Sequence, residues 1–158
     1  MKVSALEEYG LRCALQLAKQ PEGLLLSGEE LAHREGLTGA YVQKILLNLS
    51  RAGLVHSIRG IQGGYRLGRL PETITVGEVI RALGGACFSE ICGRFPGHET
   101  ECVHVSICGL RSIWQTLGTL VNDVLDKTTL KDVLDEEQQQ RPHLMSTIDA
   151  ASRLGNSV

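Results

Sequence analysis

Residues 28–67 restrict the fold of this chain more than any other stretch. Gly36 closes one helical pattern, Thr38 is placed to cap the next, and Gly53 closes that one in turn, so two helices must meet across a turn of about three residues. Two short strand-like pieces follow, Leu54-Val-His-Ser-Ile58 and Tyr65-Arg-Leu67. They are joined by Arg59-Gly-Ile-Gln-Gly-Gly64, whose glycines suit a hairpin tip. A helix-turn-helix followed by a hairpin is a winged helix. The expected fold is mainly α with a small β-hairpin wing.

Helix starts are also written clearly. Ser4-Ala-Leu-Glu7, Ser27-Gly-Glu-Glu30 and Thr75-Val-Gly-Glu78 each place a hydroxyl three residues before a Glu that can bond back to the cap amide. The first helix spans about Ser4 to Lys19, with Leu11, Leu15 and Ala18 on one stripe. In the helix after Thr38, Val42, Ile45, Leu46 and Leu49 form the buried stripe, leaving Gln43, Lys44, Leu47, Asn48 and Arg51 outside. Ile74-Thr-Val76 reads as strand-like and leads into a further helix ending at Gly84-Gly85.

Charge is distributed unevenly. Residues 1–84 carry 10 basic and 8 acidic side chains, and residues 85–158 carry 6 and 10. No acid lies between Gly36 and Pro71, where Lys44, Arg51, Arg59, Arg66 and Arg69 all fall, which gives this stretch an electrostatic preference for a polyanion. A helix fits the major groove of duplex DNA, so Tyr41, Gln43, Lys44, Asn48 and Arg51 are candidates for base and phosphate contact. Gln and Asn match adenine, Lys can reach guanine, and Tyr41 suits a phosphate or a thymine methyl. Arg59 at the hairpin tip suits a narrow minor groove, with Arg66 on the following strand.

Helical periodicity fails over residues 86–108, which hold four of the five cysteines and two of the five histidines. No run approaches the length of a membrane span and the N-terminus lacks a signal-peptide pattern, so the chain is expected to be cytoplasmic, with reduced thiols. Cys92, Cys102 and Cys108 are spaced C-x9-C-x5-C, without the short knuckle usual for structural zinc. Widely spaced thiolates can instead wrap an iron–sulfur core, with a fourth ligand from Cys87, His98, His104, Glu8 or His33. Cys13 is most simply a core thiol, and His33 most simply a surface residue. Periodicity returns with Leu110, Ile113, Trp114, Leu117, Leu120, Val121 and Val124, an apolar stripe on a helix of about Gly109 to Leu125 that needs a partner. A shorter helical piece covers Thr128 to Leu134, and the residues from Asp135 read as a polar, mobile tail.

MKVSALEEYGLRCALQLA, GLTGAYVQKILLNLSRAGLV, SIRGIQGGYRLGR, ITVGEVIRAL and CGLRSIW together resemble the Rrf2 family of bacterial transcription regulators, over about residues 1–134. The wing phrase R-G-x-x-G-G-Y is its most specific part. The resemblance implies a homodimeric DNA-binding regulator, a repressor, whose long C-terminal helices cross between subunits. By the same resemblance, Cys92, Cys102 and Cys108 hold a 4Fe–4S or 2Fe–2S cluster. Glu8 matches the acidic ligand that the partner subunit supplies in nitric-oxide-sensing and redox-sensing members, and His33 matches a histidine ligand of the redox-sensing branch. Arg111 stands where the iron–sulfur-biogenesis regulator has its histidine ligand.

The expected organisation is therefore a winged helix at 1–84, a cluster-binding loop at 85–108, a dimerisation helix and following short helix at 109–134, and a tail at 135–158. The partners implied are a pseudo-palindromic operator in double-stranded DNA and a second copy of the chain, with no membrane and no small-molecule substrate. No enzymatic pocket signature is present. Two other expectations remain: a metal-free thiol/disulfide sensor, and an iron–sulfur electron carrier.

Overall fold

The structure, a computed structural model, describes residues 3–60, 63–85, 102, 104 and 108–139. Its elements are α1 (Ala5–Ala18), α2 (Gly28–Glu35), α3 (Gly39–Arg51), β1 (Val55–Ile58), β2 (Gly64–Leu67), a 3-10 turn (Pro71–Thr73), α4 (Val76–Ala82), α5 (Gly109–Lys127) and α6 (Leu130–Gln139). The fold is thus mostly helical with a two-stranded wing.

The caps act largely as their residues dictate. Ser4 and Thr75 each accept from the amide three residues on, and Glu7 and Glu78 each accept from the cap amide. The third expected box is half made. Ser27 accepts from the Glu30 amide, but the Glu30 carboxylate takes Arg34 Nε at 2.8 Å one helical turn along. Gly36 ends α2 at φ 65°, a left-handed conformation that a residue with a Cβ adopts only under strain. That glycine sets the turn before Thr38 caps α3.

The helix α1 is the hub, packing against α2, α3, α4, α6 and β2. Its buried face is Gly10, Cys13, Ala14 and Leu17. The expected stripe of Leu11, Leu15 and Ala18 lies one position round and is only partly buried. Leu11 and Leu15 instead line an apolar cavity of about 140 Å³ with Val76, Val124, Leu125, Leu130 and Val133. Val42, Ile45, Leu46 and Leu49 of α3 are buried as the pattern requires.

The strands pair antiparallel, with Val55 opposite Leu67 and Ile58 opposite Gly64. Residues 74–76 are not a strand. Pro71 starts a 3-10 turn, and what remains extended forms a single bridge between Thr75 and Thr129. That bridge, with the Val76 amide bonded to Thr128 O at 2.9 Å, brings α6 back onto the domain, where Leu130 is wholly buried. The helix α6 continues to Gln139, into the segment expected as tail. Its docking explains the extra length, since Leu134 is buried and Glu137 pairs with Lys19 at 2.6 Å.

Along α5, Arg81 of α4 pairs with Asp126 at 2.8 Å. Leu110, Ile113, Leu117 and Leu120 remain exposed, and Gly118 is the helix's one buried residue among those described. No helix of the described residues is long and apolar enough to cross a membrane.

Candidate nucleic-acid interface and metal centre

The turn between α2 and α3 and the pairing of β1 with β2 put the acid-free basic stretch on two adjoining elements. Gln43, Lys44 and Leu47 are exposed on α3, Asn48 is half-buried, and Arg51 is exposed at its end. Arg59 is exposed at the start of the hairpin tip, and Arg66 is exposed on β2. Among the described residues Lys44, Arg51, Arg59 and Arg66 make no ion pair within the chain. Arg69 is engaged, bonding Glu78 at 2.6 Å and Thr73 O at 3.2 Å. Partial burial would raise the Glu78 carboxyl, but the Thr75 amide and the Arg69 guanidinium outweigh it and hold it below its usual range. Four cations are therefore left for an outside anion.

Tyr41 does not stand free beside them. It is half-buried, with its ring edge-on to Tyr9 of α1 at a centroid distance of 6.1 Å and an interplanar angle of 85°. Arg12 lies over the Tyr9 ring, 5.5 Å from its centre. The same Arg12 gives Nε to Glu35 Oε2 at 2.6 Å, and Gln16 Nε2 donates to Glu35 Oε1 at 2.7 Å. One face of α1 thereby grips both helices of the helix-turn-helix. Glu35 escaped the sequence reading because a Glu at a helix end usually points to water. Only its two nonlocal donors, 23 and 19 residues away, explain its burial. Leu47 was read as part of the outer face without being singled out, although an exposed Leu there is suited to thymine methyl groups.

Of the expected metal ligands, Glu8 is exposed on α1 and, among the described residues, its carboxylate has no hydrogen bond or ion pair, whereas Glu7 is committed to the Ser4 cap. His33 is exposed in the last turn of α2. Cys102 and Cys108 are half-buried free thiols, and His104 is exposed. Cys92, like Cys87 and His98, lies outside the described residues. Among the described residues no three His, Cys, Asp or Glu side chains converge as a metal site. The donors themselves suit an iron–sulfur cluster, for which cysteine sulfurs are the usual ligands, and Cys108 stands at the N-cap of the 19-residue α5 without making a capping hydrogen bond.

Cys13 is a thiol of another kind. Burial pushes it up to about 11, the Glu35 carboxylate adds to the rise, and Arg12 opposes it. Stability contributed by the protonated thiol is present below its ordinary value of 9.0 and is lost as pH rises towards about 11. At pH 8 only about a thousandth of it is thiolate. Iodoacetamide added to chelator-treated, metal-free protein should therefore alkylate Cys102 and Cys108 and spare Cys13 until the chain is unfolded. Mass spectrometry finding Cys13 labelled at the same rate in the native chain would contradict this placement.

Three comparisons bear on the whole arrangement. The profile of the Rrf2 family, described as "Iron-dependent Transcriptional regulator", matches residues 3–136. The HTH-type transcriptional regulator NsrR of Bacillus licheniformis is 32% identical over 141 residues, covering 89% of this chain and 97% of that protein. The HTH-type transcriptional regulator CymR of Bacillus subtilis is 35% identical over 142 residues, covering 88% and 96%. Among solved structures, IscR of T. potens superposes with a TM-score of 0.69 at 31% identity, covering 92% of this chain and 96% of its own. Matched along nearly its whole length, this chain belongs to the Rrf2 family and is a DNA-binding transcription regulator.

Proposed function

We propose that the chain is a homodimeric repressor whose grip on a pseudo-palindromic operator depends on an iron–sulfur cluster held by Cys92, Cys102 and Cys108, with Glu8 as the fourth ligand. The observation that carries this reading is the placement of Glu8. It is a carboxylate without a partner among the described residues, on α1 beside Tyr9, whose ring meets Tyr41 of α3, and one turn before Arg12, which holds Glu35 of α2. A pull on Glu8 is a pull on the helix that grips both helices of the reading head. Such an arrangement couples one site to another through packed side chains.

When bound, the cluster supplies an iron centre whose state changes with redox poise, nitric oxide or iron supply. The protein's part is to hold it with thiolates and to offer one harder, weaker oxygen ligand that is released first. His33 is the further ligand that a 2Fe–2S core would draw on if it used fewer thiolates. The family's description as iron-dependent supports the reading. A second reading, a metal-free sensor in which Cys102 and Cys108 are oxidised to a disulfide, has the half-exposed state of both thiols in its favour.

Full-length protein purified anaerobically separates the two. Iron and sulfide should be present, and removing them should change affinity for a selected operator about 5- to 150-fold, the usual range of allosteric coupling. Iron-free protein with unchanged affinity overturns the cluster reading; if thiol oxidation alone then changes affinity, the disulfide reading replaces it. On the DNA side, Arg59→Ala should weaken operator binding by about 1–3 kcal/mol and flatten its salt dependence. Equal affinity and an equal salt slope, measured by fluorescence anisotropy, would take the wing out of the complex.

A further inference from the structure

Among the described residues, one side-chain bond joins the wing to the reading helix. The Tyr65 hydroxyl of β2 donates to Gln43 Oε1 of α3 at 3.0 Å. The wing holds the donor firmly. Tyr65 lies opposite Ser57 in the hairpin, and its own amide and carbonyl are both bonded to Leu26, at 2.8 and 3.0 Å. Backbone partners on either side and a ring packed partly against the core restrict where the hydroxyl can lie. On the other side of the Gln43 amide lies Gly28, at the start of α2. A Cβ there would stand 2.8 Å from Gln43 Nε2 and 3.6 Å from Tyr65 Cε2. Three elements thus enclose an amide that belongs to an exposed residue.

A glutamine amide is a two-ended reader. Its oxygen accepts through two lone pairs and its nitrogen donates two protons, and a half-turn of the terminal torsion exchanges the ends. Adenine shows an acceptor and a donor side by side in the major groove, so a fixed amide distinguishes it from other bases and a freely turning one does so less well. A single bond from Tyr65 occupies one lone pair of Oε1 and leaves the other, together with the Nε2 protons, for a base edge. We propose that Tyr65 is a positioning residue for base reading, fixing the Gln43 amide so that one adenine in each half-site is selected.

The proposal rests on the reading of α3 as the major-groove helix, and the test keeps the two apart. The full-length chain, purified anaerobically, is used to select from a library of randomised duplex DNA as wild type, Tyr65→Phe, Gln43→Ala, the double variant and Gly28→Ala. Gln43→Ala should relax one base position per half-site. Tyr65→Phe, which removes only the hydroxyl, should relax that same position by roughly three- to tenfold and leave the salt slope unchanged. In the Gln43→Ala background it should do nothing further. Gly28→Ala should relax the same position too, because its methyl would crowd the amide nitrogen at 2.8 Å while meeting the Tyr65 ring only at an ordinary van der Waals distance of 3.6 Å.

If Gln43→Ala alters no position, the major-groove reading of this residue fails and the proposal falls with it. If Gln43→Ala relaxes a position that Tyr65→Phe and Gly28→Ala leave intact, the proposal alone is overturned. Uniform weakening of all duplexes by Tyr65→Phe also overturns it, since the hydroxyl would then be a direct backbone contact.

Discussion

Replacing Cys108 with alanine should, on the cluster reading proposed above, leave the purified chain without iron while its circular dichroism stays that of the wild type. Changes to groups that merely orient a metal ligand cost roughly 10- to 100-fold in affinity, and losing the ligand itself should exceed that. The fold should survive because Cys108 is half-buried, makes no capping hydrogen bond and lies outside the hydrophobic core. Cys102→Ala should behave alike. Cys13→Ala is the control: it alters a wholly buried thiol on α1 and should keep its iron. Iron and sulfide assays with an anaerobic absorption spectrum read the outcome. A wild-type spectrum in the Cys108 variant, or a lost one in the Cys13 variant, would reassign the ligands.

The second large effect is expected on assembly. The four apolar side chains left exposed on α5 stand at successive turns of a helix about 28 Å long. A surface of that kind on a small domain marks a contact with another chain, and in a two-fold dimer each substitution is made twice. Burying one leucine is worth roughly 1.5–3 kcal/mol. Leu117→Glu should therefore weaken the dimer by about 3 kcal/mol or more, over a hundredfold in dissociation constant. Leu117 is 38% exposed in the single chain, so the folded domain itself should tolerate the change. Sedimentation at micromolar protein checks this, and a dimer of unchanged affinity would move the contact elsewhere.

The parts of this fold that were legible in the sequence are those governed by near neighbours. Val42, Ile45, Leu46 and Leu49 follow a helical period, and α3 buries all four. Ser4 and Thr75 find their partners three residues on. Reading failed where two local rules competed or where the partner was distant. Glu30 had both a cap amide and Arg34 within reach, and a guanidinium is the stronger donor. The stripe on α1 was placed on Leu11, Leu15 and Ala18, but the helix also packs closely at Gly10, where an added Cβ would run into Leu83 at the end of α4, a packing no hydropathy pattern records.

The candidate interface divides in the same way. Lys44, Arg51, Arg59 and Arg66 were visible as an acid-free run, and they are the cations left unpaired among the described residues. That Arg69 is committed to Glu78, that Tyr41 leans on Tyr9, and that Gln43 is held by Tyr65 depends on pairings 9, 32 and 22 residues apart. Spacing along the chain carries no trace of them.

One consequence follows from where the core ends. The cluster of buried side chains runs from Cys13 through Leu130, and among the described residues it takes nothing from the cysteine-rich segment. The one thiol inside it is also the least reactive of those described. Among the described thiols, damage by an oxidant or a radical gas would thus fall on Cys102 and Cys108, which lie outside that core. On the cluster reading proposed above, a regulator built this way is emptied and refilled within the lifetime of a single polypeptide, and recovery from stress is limited by the supply of iron and sulfide and not by new protein synthesis.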